Sequence, residues 1–382
     1  MAILGKPAEW LARATKMNVR DKGLGDLARL SSASEISDAQ FLALRVLWEL
    51  RDSEEFEKKE NEFIPDEYLE RAADFLKNFP AWRGYIKYLE QRVGDGKGSD
   101  SPRVPNLGTF SLVESFQLQV AGIATDEPAS SRVTFTPVAH RLRSSARPTT
   151  PDSPTPAGRG GFVDMSDMRK DLPSFDDSPS FYPESAFKPG GESPDSRPIA
   201  LLPPTPDEQI VNTALILLLD ALTVHFCGLT HYWTIHRYAF IVNCGEKNFE
   251  ARTDGYLKDK KSGKVGAIVE VKPNRREKDA GKVRLQESAQ MVGWVANGAP
   301  KWSAEFKGRH LLISQDRDEI YLTFAQFDEA YRDYVMQKRP PTDPPSFMKM
   351  REYGPWKTKN TKDMAHLSRF LLAFTLWVND DA

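Results

Sequence analysis

Between residues 144 and 198, ten of the chain's 27 prolines and ten serines fall within 55 positions. Proline fixes φ and has no amide hydrogen to donate, so neither a helix nor a central strand can run through such a stretch. The segment also offers too little apolar surface to offset the entropy lost on ordering. We read 144–200 as a disordered Ser/Pro-rich linker joining two folded parts. Its Ser153-Pro154 and Thr155-Pro156 pairs suit phosphorylation. A chain of 382 residues has room for folded parts on both sides of it, at roughly 150 residues per domain.

The 52 lysines and arginines face 54 aspartates and glutamates, a net charge of −2. Binding to a polyanion must therefore come from a local patch. Two cysteines, Cys227 and Cys244, exclude a disulfide scaffold and a four-cysteine zinc module. Residues 210–226 and 364–378 are the most apolar stretches. Asn212, Thr213, Asp220 and Thr223 interrupt the first, and the second is too short to span a bilayer comfortably. The opening residues lack the apolar run of a secretory signal. An intracellular protein that does not enter a membrane is expected.

Residues 1–95 read as a helical N-terminal region. SDAQFLALRVLWELR opens with Ser37 and Gln40 in capping-box spacing and continues as a helical apolar stripe. Two further helices start at Pro65 and Pro80. Residues 96–143 read as two or three strands, or equally as a weakly ordered arm. From 203 to 382 the order is helix, three strands, helix, two strands and closing helices. The last strand pair turns at Asp316-Arg317-Asp318.

The chemistry concentrates in ARTDGYLKDKKSGKVGAIVEVKP. Asp254 falls near the middle of one expected strand, and Glu270 and Lys272 stand two apart on the next. Alternation points both to one face, while Ala267, Val269 and Val271 point to the other. If the turn lays these strands side by side, Asp254 reaches Glu270. Two carboxylates at short range repel unless a cation lies between them. Oxygen ligands suit Mg²⁺ or Mn²⁺, and a neighbouring lysine can position water or stabilise a pentavalent phosphate.

Asp254, fifteen intervening residues, then Glu270-Val271-Lys272 resembles the PD-(D/E)XK nuclease superfamily. The α/β fold expected from that resemblance is a restriction-endonuclease-like αβββαβ core carrying a mixed sheet. Gln286 and Gln290 are similar to the glutamine motif of the exonuclease-like branch, with Gln290 where tyrosine is usual. Thr253 stands where the name-giving proline would be. The linker and helical N-terminus are similar to the nuclease-like domain proteins of filamentous fungi. The resemblance implies metal ligation by Asp254, Glu270 and the Val271 carbonyl, joined by Glu208. It also implies roles for Lys272 and Gln286 in placing water or phosphate. Thr205, Pro206 and Glu208 equally fit an N-cap, N1 and N3.

From Lys258 to Arg284 there are ten basic and four acidic residues. Lys258, Lys260, Lys261 and Lys264 fall on the turn between the two carboxylate strands. Arg275, Arg276, Lys278, Lys282 and Arg284 follow Lys272. Such a patch, with Gln290, suits contacts to the phosphates of DNA or RNA. Zinc spacing, a kinase glycine loop and a Walker motif are absent from the sequence. The expected activity is metal-dependent phosphodiester hydrolysis. The alternative is a nuclease-fold module, weak or inactive, that binds nucleic acid or a protein partner. The N-terminal helices offer a route to self-association.

Overall fold

A computed structural model of the chain describes residues 3–94, 107–122, 207–299, 310–338 and 344–380. The linker, 144–200, and the expected strands of 131–143 lie outside the described residues. Among the described residues are ten α-helices, a mixed sheet of seven strands and a separate two-stranded hairpin.

The apolar runs on either side of the carboxylate motif decide the layout. Strand β6 (Val265–Lys272) is buried along nearly its whole length, as a central strand covered on both faces should be. It pairs antiparallel with β5 (Gly255–Asp259) and parallel with β7 (His310–Asp316). Beyond β5 lies β2 (His231–Thr234). Beyond β7 come β8 (Glu319–Gln326), β9 (Met348–Lys357) and β1 (Val46–Arg51), the last pair parallel. The hairpin is β3 (Ala239–Cys244) with β4 (Lys247–Arg252).

Two apolar cores flank the sheet, as a layered α/β protein requires. On one face lie Val269 and Val271 with α7 (Glu208–Thr223), α10 (Thr361–Asp380), α4 (Asp66–Asn78), α5 (Pro80–Gly94) and α6 (Phe110–Gly122). On the other lie Val265 and Ile268 with α8 (Ala280–Ala296), α9 (Glu329–Val335), α1 (Pro7–Lys16), α2 (Asp38–Leu44) and the β3–β4 hairpin. The two apolar stretches of the sequence are α7 and α10, both packed in the first core. Among the described residues no helix is long and apolar enough to cross a membrane.

Several expectations change. The helix foreseen from Ser37 to Arg51 stops at Leu44 and becomes β1. Ser37 does cap it, accepting from the Gln40 amide at 3.2 Å. Arg45 then turns left-handed, φ 55°, and VLWELR runs as a strand beside β9. The N-terminal region is thus not wholly helical, and it shares the sheet with the segment after 203. Trp48 reinforces this by donating to Ser288 Oγ on α8 at 3.0 Å. Residues 110–122 form α6, not a strand. β9 was not foreseen, because its register partners on β1 lie some three hundred positions earlier. α7 starts one residue after its N-cap, Asp207, which accepts from the Gln209 amide; Glu208 is therefore N1, not N3.

Asp220 on α7 is half-buried, and the loss of water around it raises its pKa from 3.8 to about 6. A carboxyl raised by folding stabilises fully below its unfolded pKa, and that contribution is lost as pH rises through the folded value. Asp220→Asn removes the loss. Its thermal or denaturant stability should exceed wild type by about 2 kcal/mol at alkaline pH, with equality below about pH 4.

Candidate active site

The site forms where β5 and β6 meet the start of α7 and the middle of α8. Asp254 is in the link between β4 and β5, not mid-strand as expected. Its amide donates to the Val269 carbonyl at 2.9 Å, which fixes it against β6. Gly255 permits the close approach that follows: a Cβ there would stand 2.7 Å from the Thr234 carbonyl oxygen and 2.9 Å from Ile216 Cδ1. Asn212 on α7 donates to the Asp254 carbonyl at 2.9 Å, so α7 is keyed to the same turn.

One carboxylate oxygen from each of Glu208, Asp254 and Glu270 falls in a cluster with all separations within 4.8 Å. Asp254 and Glu270 are buried, with side chains 4% and 1% exposed, whereas the Glu208 side chain is 40% exposed at the mouth. Three oxygen donors at this spacing fit a hard divalent cation. Lys272 completes the group. Its Nζ donates to Glu270 Oε1 at 2.5 Å and to Glu208 Oε1 at 3.1 Å. Glu270 and Lys272 share the β6 face turned to α8, as alternation requires. From that helix Gln286 Nε2 donates to Glu270 Oε1 at 2.5 Å, and Gln290 Nε2 donates to Glu270 Oε2. Gln290 also donates to the Arg252 carbonyl at 2.9 Å. Val271 contributes its amide, which donates to Asp254 Oδ2 at 3.2 Å.

Burial pushes the Glu270 carboxyl well above its ordinary pKa, and the nearby Asp254 charge adds to the rise. Lys272 goes the other way. Burial opposes its charge, but the Glu270 and Glu208 carboxylates outweigh that and hold its pKa above the ordinary lysine value. It is a fixed cation and hydrogen-bond donor, not a base.

Sequence reasoning missed Arg237. Its Nε and Nη2 donate to Asp254 Oδ1 at 3.1 and 2.5 Å. The expected strand 232–242 breaks between Thr234 and Ala239, and the break carries Arg237 over Asp254. No spacing rule signals such an approach.

The expected phosphate patch divides. The lysine turn at 258–264 is the far end of the β5–β6 hairpin, roughly 15–20 Å along the strands from Asp254. Lys260 there lies over the Tyr232 ring and donates to the Leu229 carbonyl at 3.3 Å. Lys258 is half-buried on β5, and Lys261 and Lys264 are exposed. Three arginines are taken by carboxylates. Arg275 grips Asp318 with two bonds of 2.7 and 2.6 Å. Arg276, fully buried, bonds Asp316, Glu287 and Glu352. Arg284 grips Glu352 with two bonds of 2.7 Å. The basic run reads as a surface patch because its acidic partners lie outside it, Glu287 just beyond on α8 and the others 40 or more positions away. Lys278 and Lys282 remain exposed.

Compared with protein-family models, curated proteins and solved structures, the chain matches none.

Proposed function

We propose that the chain is a divalent-cation-dependent nuclease with a restriction-endonuclease-like core. The observation that carries this reading is the convergence of Glu208, Asp254 and Glu270 oxygens within 4.8 Å, with the Lys272 ammonium bridging two of them. Main-sheet order supports it: α7, β2, β5, β6, α8 and β7 follow the αβββαβ succession, with the β3–β4 hairpin inserted.

Glu208, Asp254 and Glu270 would hold a Mg²⁺ or Mn²⁺ ion, which would supply Lewis acidity toward a phosphate oxygen and acidify water. Lys272, held protonated, offers a donor to the attacking oxygen and to the negative charge that grows on phosphorus oxygens. Gln286 and Gln290 hold the Glu270 carboxylate in one orientation. The Val271 amide does the same for the Asp254 carboxylate, and Asn212 fixes the Asp254 backbone through its carbonyl. Glu208, at the helix start and more exposed, is the ligand with most freedom to adjust.

A second reading rests on one observation: Lys272 and Arg237 already satisfy the cluster internally. In that reading the domain binds nucleic acid or a protein partner and hydrolyses weakly or not at all. Linear and circular duplex DNA, single-stranded DNA and structured RNA should be offered with Mg²⁺, Mn²⁺ or EDTA. Cleavage that needs the metal is expected for at least one substrate. Binding that ignores metal, with every substrate intact, would favour the second reading.

A further inference from the structure

Asp254 Oδ1 is fully subscribed. It accepts from both Nε and Nη2 of Arg237, and a carboxylate oxygen has two lone pairs to give. Oδ2 already accepts the Val271 amide. Oδ2 keeps one lone pair, so a cation drawing on Oδ1 must displace Arg237, while one held by Oδ2 alone still places its divalent charge beside the guanidinium and repels it. Arg237 is built to leave. Its side chain is 58% exposed, on the short link between β2 and β3, whereas Lys272 at 21% is held from two sides.

Released from Asp254, the planar fork stands at the mouth of the site, where it matches a phosphate with two parallel bonds. Ile235 and Tyr238, its near neighbours on the link, are exposed at 40% and 37%. The Tyr238 ring packs on Phe240 and Tyr256, and its exposed part, next in sequence to Arg237, offers a base a stacking surface near the phosphate grip. We infer that Arg237 is a substrate-phosphate ligand which occupies Asp254 in the absence of metal and passes to the nucleic-acid backbone when metal binds. This rests on the nuclease reading above and adds to it the residue that couples metal loading to substrate grip.

The test compares the full-length protein with Arg237→Ala and Arg237→Lys, reading Mn²⁺ affinity by the paramagnetic resonance of the free ion and cleavage of the preferred substrate. Arg237→Ala should bind Mn²⁺ about tenfold more tightly, because a competing cation is gone. It should cleave about a hundredfold more slowly, the scale of losing one donor to the reacting group. Arg237→Lys keeps the charge but not the fork, and should match wild-type Mn²⁺ affinity while cleaving about tenfold more slowly. Unchanged or weaker Mn²⁺ binding in Arg237→Ala, with cleavage intact in wild type, overturns the inference and leaves the nuclease reading standing. A wild-type protein that takes up no Mn²⁺ and cuts nothing removes both.

Discussion

Lys272→Ala should lower metal-dependent cleavage by about a thousandfold, the scale of removing a fixed donor from developing charge in a dry site. The ammonium's bonds to Glu270 and Glu208 and its raised pKa make it a permanent cation there. Among the described residues no other basic side chain hydrogen-bonds Glu270. The same substitution should also destabilise the fold by about 2–3 kcal/mol near pH 8, because it leaves the buried Glu270 charge without its counter-ion. The cost stays below the full penalty of a broken buried pair, since Gln286 and Gln290 still donate to that carboxylate. Glu270 already has a raised pKa from burial and from Asp254, and losing Lys272 raises it further. A group raised by folding gives stability that is present at low pH and lost as pH rises through its folded pKa. The deficit of Lys272→Ala should therefore shrink as pH is lowered, while activity stays lost throughout. Denaturant titrations over a descending pH series, beside single-turnover cleavage, check the two effects separately. Near-wild-type cleavage would remove Lys272 from the chemistry.

The heart of this site was legible because its signals are local. Glu270 and Lys272 are two apart on one strand, so period-two alternation alone puts them on one face. Asp254 comes from the adjoining hairpin arm, and the intervening turn residues brought it back beside Glu270. Gln286 and Gln290, one helical turn apart, fall on one side of α8 for the same kind of reason. What escaped was set by tertiary contact. Arg237 reaches Asp254 because a long apolar run breaks at Ile235, and β propensity does not report where a strand will break. β1 and β9 pair in parallel across most of the chain, a partnership that no window of sequence contains. Trp48 looked like part of a helical stripe because VLWELR satisfies both periods; the neighbouring strand decided between them. Arg275, Arg276 and Arg284 looked like a phosphate patch because charge counting sees one segment, while their partners come from α8 (Glu287), β7 (Asp316), the turn after it (Asp318) and β9 (Glu352).

Arg276 carries the largest expected effect on stability. Its guanidinium is 2% exposed and bonds Asp316, Glu287 and Glu352, of which the first two are fully buried. Burial raises the carboxyl pKa of both Glu287 and Asp316, and the Arg276 charge is the main force holding them ionised. Arg276→Met keeps the side-chain length and removes the charge, leaving Arg284 bonded to Glu352 and the Lys272 charge acting on Asp316 to balance three carboxylates. Breaking such a buried set should cost about 3–5 kcal/mol near pH 8. Protonation of Glu287 and Asp316 relieves the penalty, so the loss should fall as pH is lowered. Adding Glu287→Gln and Asp316→Asn to Arg276→Met should recover most of the stability, because neutral buried groups of the same shape need no counter-charge. The network also bears on the site. Glu287 adjoins Gln286 on α8, and Asp316 is the register partner of Lys272 across β6 and β7. Arg276→Met should therefore reduce cleavage as well, whereas the triple variant should regain its fold and, with it, the placement of Gln286 and Lys272. A triple variant that folds as wild type yet stays as slow as Arg276→Met would mean that Arg276 acts on the chemistry by its charge and not through the position of α8.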